Sequence, residues 1–275
     1  MRVDSHHHLW RYNPRDYDWI DDSMSALRRD FLPADLQSVA VESGIEATIA
    51  VQARQTLEET RWLLELAATS KLIRGVVGWA PIADDSFPAT LETLGQNALL
   101  KGLRHVVQAE PDGYLDTPAF NRGIASLLPT GLAYDILIVA RQVEEATRFV
   151  NRHPAQQFVL DHIAKPDIKR DGFAPWNKAI RELARRPNVA CKLSGMVSEA
   201  DPKHWTPGQL QPYFDTVLEA FGPTRLLFGS DWPVLTVAST YPNWVHTVDN
   251  WLSDSERAAI QGETATRVYR LDSKL

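Results

Sequence analysis

The chain has 275 residues, of which 44% are hydrophobic and 23% charged, and its formal net charge is −6. That is enough apolar material for one large core, and the acidic balance argues against a nucleic-acid or anionic-membrane partner, either of which calls for a basic patch. The single cysteine, Cys191, excludes an intrachain disulfide and a cysteine-based zinc site. Inside the apolar run Asn188 to Gly195 it reads as a buried, inert thiol.

No apolar stretch approaches the ~18–20 residues of a membrane span, and the opening MRVDSHHHLW has no signal-peptide core. A cytoplasmic location is therefore the expectation. The histidine trio at 6–8 sits in a strand-like context and reads as native rather than as a tag.

In chain order, short β-branched runs alternate with amphipathic stretches. The first strand is placed at Arg2 to Asp4, ending in Ser5-His6-His7-His8. The next are Ala47 to Val51, Ile73 to Trp79, Leu103 to Val107, Leu132 to Val139, Gln157 to Leu160, Val189 to Leu193 and Leu226 to Phe228. Helical spacing appears over Leu57 to Ala68, Phe87 to Leu94, Ala119 to Leu128, Val143 to Val150, Ile180 to Ala184 and Leu210 to Phe221. Pro33 to Leu36 reads as a helix start. Eight strands, each followed by a helix, predict a (β/α)₈ TIM barrel in the α/β class, for which about 250 residues suffice. One domain over residues 1–275 is expected. The stretch Trp10 to Leu32 after the first strand is long for such a connection, which marks it as a binding loop or lid.

The chemistry lies at the strand ends. His6 and His8, Gln52, Trp79, Arg104 and His105, Asp135, His162, Lys192 and Ser194, and Asp231 each close an apolar run, and in a parallel barrel those ends converge on one mouth. His6 and His8 are two apart, so a strand points both the same way, where they can bind a divalent metal or clamp a substrate oxygen; a hydrogen-bonded structural pair is the alternative. Asp231 follows the run ending Phe228-Gly229, where a partly buried carboxylate can act as general base, or serve merely as a turn residue. Arg104 and His105 are adjacent, so a regular strand sends only one of them inward. Lys192 lies amid apolar residues and requires a partner; Asp161 and Asp231 are the candidates. Nine tryptophans include Trp10, Trp19, Trp79 and Trp232 near strand ends or in the long loop, where aromatic faces suit sugar rings; Trp62, Trp244 and Trp251 read as packing residues.

Four motifs in order resemble the amidohydrolase-2 branch of the amidohydrolase superfamily. They are Asp4-Ser5-His6-His7-His8, Asp161-His162-x-x-Lys165-Pro166, Cys191-Lys192-Leu193-Ser194-Gly195 and Phe228-Gly229-Ser230-Asp231-Trp232-Pro233. Within the branch the chain is most similar to the sugar-lactonase group, which includes L-fuconolactonase and L-rhamnonolactonase and is joined by 2-pyrone-4,6-dicarboxylate lactonase. The likeness extends to Gly102 through Gln108 and to Ala133-Tyr134-Asp135. It implies lactone hydrolysis with Asp231 as general base. It also implies a pocket lined by His6, His8 and His162. From their places at strand ends, Arg104, His105, Gln52, Trp79 and Trp232 are the expected substrate contacts. Binuclear members bridge two ions with a fourth-strand lysine or glutamate. Arg104 and His105 stand there instead, so the resemblance implies either no required metal or a single divalent ion, zinc before others, on His6, His8, His162 and Asp231.

The expected reaction has Asp231 take a proton from the attacking water and return it to the departing ring oxygen, with Arg104 or His105 facing the oxyanion. The expected partner is a small-molecule lactone, and a homo-oligomer is compatible with the sequence. Two rivals stand beside this expectation. One is a metal-dependent hydrolase or decarboxylase acting on a cyclic carboxylic acid, for which Arg54 and Arg141 would supply carboxylate clamps. The other is a non-catalytic ligand-binding barrel.

Overall fold

The structure, a computed structural model, describes residues 1–271. Within them run eight strands: β1 Val3–His7, β2 Ala47–Val51, β3 Ile73–Gly78, β4 Leu100–His105, β5 Ala133–Ile136, β6 Phe158–Leu160, β7 Val189–Leu193 and β8 Leu226–Phe228. Each pairs in parallel with the next, in sequence order. Helices Pro33–Glu42, Leu57–Thr69, Phe87–Leu94, Pro118–Ala125, Val143–Arg152, Phe173–Ala184 and Pro207–Phe221 supply the crossovers, and Tyr241–Trp251 follows β8. This is the (β/α)₈ barrel that the alternation predicts.

Several edges differ from the sequence reading, by most at the start of β4 and the end of β5. β4 begins at Leu100 rather than Leu103 because Lys101 and Gly102 interrupt the apolar run without interrupting the ladder. Lys101 lies half-buried with its ammonium on the carbonyl of Arg270 (3.2 Å). β5 stops at Ile136, three residues short of Val139, although Leu137 and Ile138 remain buried. The helix Tyr241–Trp251 and the helical run from Asp254 to Val268 lie outside the elements read from the sequence.

Side chains fill the barrel in tiers. Val3, Ala47, Ile49, Val77, Ala133, Val159, Ala190 and Leu227 form an apolar floor, plugged by Val268 and Tyr269 from the C-terminal helical segment. Two residues further along their strands, Asp135, Asp161 and Lys192 point the same way by strand period, and Arg104, paired across the ladder with Asp135, joins their tier. The mouth lies above.

β1 reaches that mouth through a bulge. Asp4 pairs with Thr48 and His7 with Ala50, so β1 spends three steps where β2 spends two. One extra residue flips the phase of the strand. Val3 points inward below it, His6 and His8 point inward above it, and His7 turns out to Thr48 (3.0 Å).

The seam between β8 and β1 is closed by a parallel bridge from His7 to Trp232 and by main-chain bonds from Asp231 N to His6 O (2.8 Å) and His8 N to Trp232 O (2.6 Å). The Asp4 side chain rivets it. This wholly buried carboxylate accepts from His6 N (3.1 Å), Ser230 N (2.9 Å), Ser230 Oγ (2.6 Å) and Tyr241 OH (2.8 Å). Asp4→Ala orphans these donors together and should cost about 3 kcal/mol, whereas Tyr241→Phe removes one bond and should cost about 1 kcal/mol. Urea unfolding of the two variants measures this; equal, small losses would show that the main-chain bonds hold the seam unaided.

Candidate active site

The charged tier supports the site from below. Lys192 Nζ lies 2.5 Å from Asp135 Oδ2 and 3.0 Å from Asp161 Oδ1, and none of the three side chains is exposed. Tyr269 OH donates to Asp135 (2.7 Å), and Arg104 Nη1 donates to Asp161 Oδ2 (2.9 Å). Two carboxylates and two cations thus neutralise one another where an unpaired charge would be costly. Burial alone would raise the Asp161 carboxyl, but Lys192, His6 and Arg104 reverse that and hold it well below the usual carboxylate range. Of the partners expected for Lys192, Asp161 is present; Asp135 takes the place of Asp231.

His6 stands on this tier, its Nδ1 3.2 Å from Lys192 Nζ and 3.4 Å from Asp161 Oδ1. Its Nε2 faces upward, 3.2 Å from His8 Nε2 and 3.8 Å from Asp231 Oδ1. His8 Nδ1 donates to Val51 O at 2.8 Å, and its Nε2 faces Asp231 Oδ1 at 3.4 Å. His162 Nδ1 meets Ser194 Oγ at 2.9 Å, and its Nε2 lies 4.0 Å from the same Asp231 oxygen. Burial pushes the His162 imidazole down to about 4 and that of His6 well below its ordinary range, so both are neutral near pH 7. Burial works against the Asp231 charge, yet His162, His8 and His6 around it hold its carboxyl below the usual range.

Backbone exceptions place two of these groups. His162, Ile163, Ala164 and Lys165 are all left-handed, with φ of 53°, 48°, 61° and 46°. Such a run is costly for L-residues, and here it turns both His162 and Lys165 toward the cleft. Gly195 makes room, since a Cβ there would lie 2.7 Å from His162 Nδ1.

A cleft of about 580 Å³ opens above, and His8, Arg104, His162 and Asp231 line it. The other expected contacts lie behind its wall. His105 faces outward from β4, stacked on Tyr114 (4.8 Å) and bonded through Nε2 to Glu110 (2.8 Å). Trp79 Nε1 donates to His105 Nδ1 (3.3 Å), Gln52 Nε2 to Arg104 O (3.3 Å), and Trp232 packs edge-on against Phe31 (5.2 Å). Arg54 lines the cleft, while Arg141 pairs with Asp112 on the surface. Lys165, Gln55, Arg15 and Asp18 also line the cleft without having been singled out as site residues. Of these only Lys165 carried a sequence signal, three residues after His162.

The donor set fits a tetrahedral divalent ion. Ligand atoms about 2.0–2.1 Å from such an ion stand about 3.3 Å apart, close to the His6–His8 and His8–Asp231 separations of 3.2 and 3.4 Å. The Nδ1 contacts of His8 and His162 fix their rings as second partners of metal-bound imidazoles do. His6, His8 and Asp231 form one such cluster; a second, His6, Asp161 and His162, draws on Asp161, which already serves Lys192 and Arg104.

The amidohydrolase family profile matches residues 3–271. This chain belongs to the amidohydrolase family. It is 42% identical to an L-fucono-1,5-lactonase of Burkholderia multivorans, over 98% of this chain and 96% of that one. It is 36% identical to an L-fucono-1,5-lactonase of Burkholderia ambifaria, over 99% and 96%. A crystal structure of a Burkholderia multivorans amidohydrolase with bound zinc superposes with a TM-score of 0.95 at 40% identity, covering 99% of this chain and 100% of that one.

In this amidohydrolase, removing the Lys192 charge should be severe because two buried carboxylates would face Arg104 alone. Lys192→Met is expected to cost about 3–5 kcal/mol, and adding Asp135→Asn should restore part of it. Urea unfolding of both variants measures the coupling; a single variant within about 1 kcal/mol of wild type would mean the tier is already protonated.

Proposed function

We propose that this amidohydrolase opens a sugar lactone, an aldono-1,5-lactone of the L-fucono type, with Asp231 as general base. The observation that carries the reading is the single oxygen, Asp231 Oδ1, with three imidazole Nε2 atoms within 4.0 Å at the bottom of a cleft. The full-length likeness to two proteins named L-fucono-1,5-lactonase supplies the substrate class.

Asp231 Oδ1 accepts a proton from water as the water oxygen bonds to the lactone carbonyl carbon. His8 and His162, held by Val51 and Ser194, orient the reacting oxygens. The ring C–O bond then breaks, and Asp231 returns the proton to the departing ring oxygen, which becomes the product hydroxyl. The residues that would hold one divalent ion are His6, His8 and Asp231, with His162 adjacent, and such an ion supplies Lewis acidity toward the carbonyl when bound. Arg104 Nη1, 3.4 Å from His6 Nε2, opposes a second ion beside the first. Two like unit charges about 4 Å apart repel by about 4 kcal/mol at an effective dielectric of 20, and a divalent ion doubles that.

The cleft's charges also favour a neutral ring over a dicarboxylate. Arg54 pairs with Asp16 (3.2 Å), Arg104 with Asp161 (2.9 Å) and Lys165 with Glu199 (3.8 Å). Among the described residues that leaves Arg15 as the unpaired cation of the cleft, and a clamp for two carboxylates needs more than one.

A pH-indicator assay over 1,4- and 1,5-sugar lactones, with and without chelator, tests the reading. A 1,5-lactone should be opened fastest, and metal analysis should return about one ion per chain. Asp231→Asn should lower kcat by about 10²–10⁴-fold with unchanged circular dichroism. Acid release from no lactone, or near-wild-type turnover by Asp231→Asn, would overturn it.

A further inference from the structure

The stretch from Trp10 to Leu32 is anchored at both ends and in the middle. Trp10 and Phe31 exchange main-chain bonds (3.0 and 2.9 Å), and Trp10 Nε1 donates to Arg29 O at 2.9 Å. Trp10, Tyr17, Ile20, Leu27 and Phe31 are buried. Tyr17 OH reaches the buried Glu59 (3.5 Å), and the Arg28 guanidinium holds Ile20 O (3.1 Å). The backbone is therefore ordered by groups that point away from the cleft.

Three side chains are left over. Arg15, Asp18 and Trp19 all line the cleft that ends on Asp231, and none of their side chains makes a hydrogen bond or ion pair among the described residues. Their neighbours differ, since Asp16 is held by Arg54 and Tyr17 by its burial. Trp19 is the one aromatic among the exposed large apolar side chains described, at 39% exposure. It meets Trp10 only in a T-shaped contact at 5.9 Å, which steadies the indole without stacking on it.

An indole left in water forgoes the stabilisation of burial, and nothing in the fold uses this one. A flat ligand with a C–H face would cover it. A carboxylate and a guanidinium beside it accept from and donate to hydroxyls, while their opposite signs keep the rim neutral. A hydroxylated ring has both features, with C–H groups on its face and O–H groups on its edge.

We propose that this segment reads the substrate: Trp19 stacks on the C–H face of the sugar ring while Asp18 and Arg15 hydrogen-bond its hydroxyls. The inference rests on the lactonase reading above and deepens it, placing recognition at the rim and chemistry at the histidine floor. Interactions made equally in ground and transition states appear in KM rather than in kcat.

Steady-state kinetics on a six-carbon aldono-1,5-lactone test it, with thermal unfolding run beside them. Trp19→Ala should raise KM about tenfold with kcat within about threefold of wild type, and Trp19→Phe should recover most of that loss. Asp18→Asn, which keeps the shape and removes the charge, should raise KM with kcat retained. If Trp19→Ala unfolds early, Trp19→Phe and Asp18→Asn decide the matter. Unchanged KM in both Trp19→Ala and Asp18→Asn, or a loss confined to kcat, overturns the proposal while leaving the lactonase reading intact. Acid release from no lactone by the wild-type enzyme overturns both.

Discussion

The interaction on which this barrel depends is the buried exchange of charge among Lys192, Asp135, Asp161 and Arg104. Four ionic groups in a barrel interior are tolerable only as a closed set, because each leaves water at a cost of several kcal/mol and recovers it only from well-placed partners. Closure dictates position. Lys192 must sit between the two aspartates, Arg104 must cap the free oxygen of Asp161, and Tyr269 must rise from the C-terminal segment to satisfy Asp135. A hydrophobic middle layer would serve stability as well. What it would lack is a polar surface on which to stand His6, whose Nδ1 is fixed between Lys192 and Asp161.

From that platform the site is built upward by departures from regular geometry. The extra residue in β1 turns His6 and His8 into the barrel and His7 out of it. The left-handed run at 162–165 brings His162 to the same centre, and Asp231, itself at a φ of 58°, meets them from the far side of the seam. An ionised carboxylate among buried imidazoles is the outcome of that crowding. Burial holds His162 and His6 below the ordinary imidazole range, while the attraction of His162 and the hydrogen bond from His8 hold Asp231 below the usual carboxylate range. Gly229 reflects the same pressure, since a Cβ there would come within 2.8 Å of the His6 Cβ.

How much of this is legible in the sequence follows from which forces are local. The alternation of apolar runs and helical spacing is local, and it fixes the barrel. The convergence of His6, His8, His162 and Asp231 follows from the barrel, because strand ends share one face. The bulge in β1 leaves no mark on composition: the two-residue spacing sends His6 and His8 to one side of the strand, and only the extra residue makes that side the barrel interior. The choice between Arg104 and His105 turns on strand phase. Only the pairing of Arg104 with Asp135 across the ladder decides it, sending His105 out to Tyr114. Asp135 as partner of Lys192 is a contact between strands 57 positions apart in sequence. The aromatic count suggests a sugar site but does not rank its members. Trp79 and Trp232 sit at strand ends yet pack behind the wall, and Trp19, in the middle of the long loop, reaches the cleft.

That last contrast separates two kinds of constraint. Groups at the floor are held by several partners each, so a change to one disturbs the others; His6 alone touches Lys192, His8 and Arg104. At the rim, the side chains of Arg15, Asp18 and Trp19 have no structural partner to lose among the described residues beyond the edge of Trp10. Under the proposed reading, a barrel of this design can change which ring it accepts by substitution in one anchored loop, without disturbing the charge balance that keeps Asp231 ionised. The anchoring is what permits it: because Tyr17, Ile20, Leu27 and Phe31 already order the loop, the rim residues are free to be selected for the ligand alone.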